Sequence, residues 1–209
     1  MKNKWLYRIL VYLFFIFIYT VENRYRFLGL NVFLAYIPLE IAFFMKKYQQ
    51  TLMLWPLLIS WFLFYPNAPY MLTDFFHLSA VGMTMSDPNV YFHFVILAIG
   101  VVLGLFMGLL SLQIVTKIIL TKIGRHHVVI WTGWMLLVSF LTSYAIYLGR
   151  FLRLHTIHLI TKPIETLGVM LSAFDSDLMY FVLAFTTFHL VMVVVYQLNQ
   201  NIQKDRLEK

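Results

Sequence analysis

Residues 61–78 read WFLFYPNAPYMLTDFFHL, and the reading of this stretch decides the fold. An apolar run ends at Pro66, and Asn67, Tyr70, Thr73, Asp74 and His77 follow with no Lys or Arg among them. A carboxylate and an imidazole are expensive to place beside a bilayer, so such residues usually have a task. Pro69 suits the first turn of a helix. Counting about 100° per residue from Asn67 puts Tyr70 at about 300°, Asp74 at about 340° and His77 at about 280°. The four polar groups then share one sector, while Leu72, Phe75 and Phe76 point away. The stretch is predicted as an apolar span that breaks near Pro66 and continues as a helix with a polar stripe at a membrane edge.

The rest of the chain supports a membrane setting. It is 61% apolar, 18% aromatic and 12% charged, whereas soluble domains average about 45–50% apolar and about 25% charged. The expected fold is all-α: a polytopic membrane helix bundle forming one integral membrane domain over residues 1–209, multi-pass in the cell membrane. With no Cys in the chain, disulfides, thiol catalysis, Cys-ligated zinc and iron–sulfur clusters are excluded. The net charge of +7 does not indicate nucleic acid, because the basic residues lie in short loops and tails between apolar runs, where the bilayer explains them.

Six apolar runs are predicted as spans, roughly 5–20, 27–45, 52–65, 91–115, 128–148 and 178–196. The first has a Lys-flanked start but no small-x-small cleavage site at residues 19–21, so it reads as a retained helix. With the N-terminus inside, Lys2, Lys4, Arg8, Lys46, Lys47, Lys117, Lys122, Arg125, Lys204, Arg206 and Lys209 are inner, and Arg24, Arg26, Arg150, Arg153 and Lys162 are outer. The inner excess predicts N-in and C-in. The one long connection, 150–177, is mostly apolar over 161–174 and reads as an interfacial or re-entrant helix.

A second polar stripe ends the fifth run, where 144–153 reads YAIYLGRFLR. Ser139, Ser143, Tyr147 and Arg150 fall on one helical face. A guanidinium suits two-pronged contact with a carboxylate or phosphate; the alternative is a headgroup anchor at a helix end.

PNAPY-x-x-TD-x-x-HL followed by YLGR-x-x-R resembles an uncharacterised family of bacterial integral membrane proteins, the domain of unknown function 1361. The resemblance extends from about the second run to the sixth. Pro66, Asn67, Pro69, Tyr70, Thr73, Asp74, His77, Gly149, Arg150 and Arg153 carry it. The family often has Asn-Ser-Trp-Asp after the second motif; here residues 154–158 read LHTIH. The resemblance implies a multi-span membrane protein and supplies no activity.

Other polar residues have competing readings. Asp74 and His77, one turn apart, together with His93 and with His155 and His158 of the long connection, are the candidates for a divalent metal. The alternative is that Asp74 pairs with Arg150 or His77. His189 is a proton relay, a haem ligand or a hydrogen-bonded core histidine, the last being preferred. Glu40, after Pro38, either couples proton movement or is satisfied by backbone groups that Pro38 frees. Gly100, Gly104 and Gly108 form a smooth face for close helix packing, preferably internal. The segments 86–88 and 175–177 read as helix caps.

The expected site is an outward-facing polar pocket of Asn67, Tyr70, Asp74, His77 and Arg150, with His93 and Arg153 at its edge. Three function classes fit. One binds or transports a small anionic or zwitterionic solute or a lipid headgroup. A second is a membrane enzyme on lipid-linked substrates, with Asp74 and His77 as general base and Arg150 as phosphate clamp. A third is an accessory protein whose partner is another membrane protein. No cofactor is identified from the residues.

Overall fold

A computed structural model describes residues 3–82, 86–124, 128–154, 161–172 and 174–207. All regular structure among them is helical: α1 (Asn3–Thr20), α2 (Phe27–Tyr48), α3 (Leu54–Phe64), α4 (Asn67–Tyr70), a 3-10 helix (Met71–Ala80), α5 (Pro88–Ile123), α6 (Val128–Phe151), α7 (Pro163–Ser172) and α8 (Ser176–Leu207). Four helices are long and apolar enough to cross a membrane: Phe27–Tyr48, Pro88–Ile123, Val128–Phe151 and, within α8, Ser176–Gln203. They correspond to the second, fourth, fifth and sixth apolar runs. The first run forms the 18-residue α1. The third forms α3, whose 11 residues reach only about 16 Å. Helical turns then resume through α4 and the 3-10 helix, as the break at Pro66 predicts.

The chain divides into two compact units, Met1–Val115 and Thr116–Lys209. In the first, α2 packs against α1, α3, α4 and the 3-10 helix. Its core joins Phe14 and Ile18 of α1 to Leu28, Val32 and Leu39 of α2, Ala68, Met71, and Ile96, Leu97 and Val101 of α5. The glycine face of α5 packs inside this unit. A Cβ on Gly108 would lie 2.6 Å from the Cβ of Ala68, and one on Gly104 would collide with Met71. The two glycines therefore let the α4 region approach the α5 backbone, the physical use of a small-xxx-small face. Trp61, fully buried, stacks on Tyr65 with centroids 4.4 Å apart and donates its indole N–H to the Ser111 hydroxyl at 3.3 Å.

In the second unit α6 packs along α8, with Tyr147, Leu178 and Val182 buried between them. Both units carry large apolar side chains on their surfaces, among them Ile9, Leu13, Val102 and Phe106 in the first and Leu137, Phe140, Leu183 and Val191 in the second. So much exposed apolar surface is a liability in water and ordinary for a face turned to lipid.

Candidate functional site

The polar residues of the first motif lie on two kinds of helix. Asn67 and Tyr70 belong to α4, whereas Thr73, Asp74 and His77 belong to the 3-10 helix. Ten residues is long for that winding, which rarely exceeds three or four. At three residues per turn, positions i and i+3 eclipse. Met71, Asp74 and His77 therefore form one ridge, Leu72, Phe75 and Leu78 a second, and Thr73, Phe76 and Ser79 a third. Burial follows this pattern in part: Met71 and Asp74 are buried, Leu72, Phe75 and Leu78 pack on the core, and on the third ridge Phe76 is exposed while Thr73 is buried. The single sector expected from α-helical counting does not persist. Asp74 and His77 share a ridge, and the tighter winding takes Tyr70 off it.

Asp74 is 1% exposed, and its Oδ2 accepts a hydrogen bond from Asn31 Nδ2 at 2.8 Å. Asn31 comes from α2 and was not among the expected site residues. The available signal was simple: it is the only side-chain amide in the apolar run 27–45. The His77 ring packs on Phe27 with centroids 4.6 Å apart, and its carbonyl accepts from the Tyr25 hydroxyl at 3.3 Å. Tyr25 also meets His93 edge to face at 5.4 Å. Burial pushes the Tyr25 phenol above its usual value, with Arg24 opposing the shift, so Tyr25 acts as a neutral donor. Asn67 turns its amide back to the Phe64 carbonyl at 2.8 Å, closing the end of α3. The Thr73 hydroxyl donates to the Tyr70 carbonyl at 2.8 Å.

His93 is buried, and its Nδ1 lies 2.9 Å from the Asn89 carbonyl. Asp74, His77 and His93 do not assemble into a metal centre: among the described residues no three His, Cys, Asp or Glu side chains are grouped to hold an ion. His155 and His158 lie outside the described residues.

A second polar cluster of the first unit involves Glu40. Arg8 holds its carboxylate with two prongs, Nε to Oε1 at 2.8 Å and Nη2 to Oε2 at 2.7 Å. The Tyr36 hydroxyl also donates to Oε1. Glu40 is thus satisfied by a cation on α1 rather than by backbone groups near Pro38. Arg8, expected only as an inner-face charge, also lies over the Trp5 ring at 4.8 Å.

In the second unit the expected stripe on α6 is largely the seam with α8. Ser139, Ser143 and Tyr147 are buried. Ser143 donates to the Ser139 carbonyl at 2.8 Å, and the Ser139 hydroxyl pairs with His189 Nδ1 at 2.7 Å. His189 is therefore a hydrogen-bonded core residue, as preferred from the sequence. Arg150 is half-buried in the last turn of α6, where a cation suits the negative end of the helix dipole. Arg153 is exposed, with φ 53°, and Leu154 N–H returns to the Leu148 carbonyl at 3.1 Å. Neither arginine forms an ion pair with a described residue of its own unit. Asp87 and Asp175 cap α5 and α8, each accepting a backbone N–H at 2.8 Å.

A family model described as a protein of unknown function (DUF1361) matches residues 30–192. That range includes both motifs, Asn31 and His189, and leaves out Arg8. No curated protein and no solved structure matches the chain.

Proposed function

The chain belongs to the DUF1361 family, and from that premise we propose that it is a multi-pass cell-membrane protein that binds or transports a small anionic or zwitterionic solute or a lipid headgroup. The four long apolar helices support the membrane setting. In this reading α1 and the stretch from α3 through the 3-10 helix complete six crossings, with both termini inside.

The observation that carries the reading is a buried carboxylate on an unusual helix. Asp74 is 1% exposed on a ten-residue 3-10 helix, well beyond the three or four residues usual for that winding. Its role is to take an ammonium group or a proton, with His77 on the same ridge and Asn67 and Tyr70 on the turn before. In the second unit Arg150, with Arg153 beyond it, takes the anion through its planar fork of donors.

Native mass spectrometry of the detergent-purified protein tests this, run beside Asp74→Ala and Arg150→Ala variants. The expected result is a defined adduct on the wild type that at least one folded variant loses. The Asn31–Asp74 bond favours a second reading, in which Asp74 ties the 3-10 helix to α2 in an accessory protein. A bare wild-type mass with both variants less stable would select that reading.

A further inference from the structure

The helix α7 carries an apolar ridge on the face turned away from the protein. Counting about 100° per residue from Ile164, Leu167 falls at about 300° and Leu171 at about 340°. These three side chains are 86%, 52% and 72% exposed. Thr166, at about 200° on the opposite face, is buried. A surface helix of a soluble protein does the reverse, turning its apolar stripe to the core.

The position of α7 says what covers the ridge. The Tyr144 hydroxyl of α6 donates to the Met170 carbonyl at 3.0 Å, and the Tyr144 ring stacks on Phe174 at 5.9 Å. Tyr144 lies seven residues before the end of α6 at Phe151, about 10 Å along the helix. The 24 residues of α6 run about 36 Å, against a hydrocarbon core of about 30 Å. Centred in that core, α6 holds Tyr144 roughly 7 Å below the boundary. Four residues after α7 ends, α8 begins as a membrane-length helix. With ten residues, α7 is too short to cross a bilayer itself.

We propose that α7 is an interfacial helix that docks on the lipid surface, inserting Ile164, Leu167 and Leu171 among the acyl chains at the face where α6 ends and α8 begins. Helices of this kind sink roughly 5–10 Å into the headgroup–acyl boundary, which matches the depth set by Tyr144. The ion pair of Lys162 and Glu165, 3.1 Å apart and exposed, lies at the amino end, on the side for headgroups and water.

The chain has no cysteine, so single cysteines report cleanly on the full-length protein. Ile164→Cys, Glu165→Cys, Leu167→Cys and Leu171→Cys are each spin-labelled and reconstituted in phosphatidylcholine vesicles. Relaxation by oxygen, which enters lipid, is compared with relaxation by a water-soluble nickel chelate. Oxygen should dominate at 164, 167 and 171, and the chelate at 165. Dominance of the chelate at all four positions would overturn the proposal. So would ridge labels shielded from both reagents, which would mean that protein covers the ridge, and dipolar coupling between labels would identify that protein as a second copy.

Discussion

Asn31 of α2 places its Nδ2 2.8 Å from Oδ2 of Asp74, across 43 positions of sequence. The bond joins the second turn of an apolar helix to the 3-10 segment and gives a buried carboxylate a neutral donor. Removing the Asn31 amide takes one hydrogen-bond donor from a buried acceptor, at about 1–3 kcal/mol. Asn31→Ala should lower the thermal midpoint in detergent. Asp74→Asn keeps a hydrogen-bonding partner for Asn31 and should fold near wild type. An Asn31→Ala protein as stable as wild type would show that the bond does not hold the segment.

The pair of Arg8 and Glu40 should behave non-additively. Breaking a fully buried pair costs about 3–5 kcal/mol. Here the side chains are 35% and 20% exposed, so solvent weakens the effect and about 1–3 kcal/mol is expected for Arg8→Met. Adding Glu40→Gln removes the stranded charge and should recover part of the loss, because residues in direct contact couple. Denaturant unfolding of the two singles and the double gives the coupling. Strictly additive losses would contradict the pairing.

Two helix glycines should respond with opposite signs. At Gly108 a methyl group meets Ala68 Cβ at 2.6 Å, whereas at Gly133 nothing lies within 4 Å. Gly108→Ala should cost about 1–3 kcal/mol by overpacking. Gly133→Ala should be neutral or gain up to about 1 kcal/mol from helix propensity. Thermal melts of the two purified variants decide it, and equal midpoints would argue against close contact at Gly108.

Stability and ligand capture should part company at Arg153. Its φ of 53° costs an L-residue roughly 1–2 kcal/mol that glycine avoids. Glycine brings its own entropic cost of about 0.5–1 kcal/mol. Arg153→Gly should therefore melt at the wild-type temperature or slightly above, yet lose part of the adduct seen by native mass spectrometry. A lower melting point would mean that the side chain matters to folding, and an undiminished adduct would remove Arg153 from the binding role.

Much of the site's local setting was legible in residues 61–78, including the break at Pro66 and the shared ridge of Asp74 and His77. The winding was not. Whether Met71–Ala80 turns at about 3.6 or about 3.0 residues per turn depends on packing against the α5 glycines and α2, and sequence period alone does not distinguish them. The difference took Tyr70 off the ridge and left the Asp74–His77 pair in place.

Hydropathy is a sum over neighbours in sequence. The chain by itself therefore determined the helical class, the apolar helices that suit a membrane, four of the six expected runs among them long enough to cross it, and the motifs that carry the family resemblance. Choosing a partner is a different problem, because any polar group in an apolar helix has several chemically adequate mates. Only the tertiary structure decided that Asp74 meets Asn31, that Glu40 meets Arg8 and that His189 meets Ser139, across 43, 32 and 50 positions respectively. Helix packing sets which of those groups come within 3 Å, and a low-dielectric interior makes satisfying them obligatory.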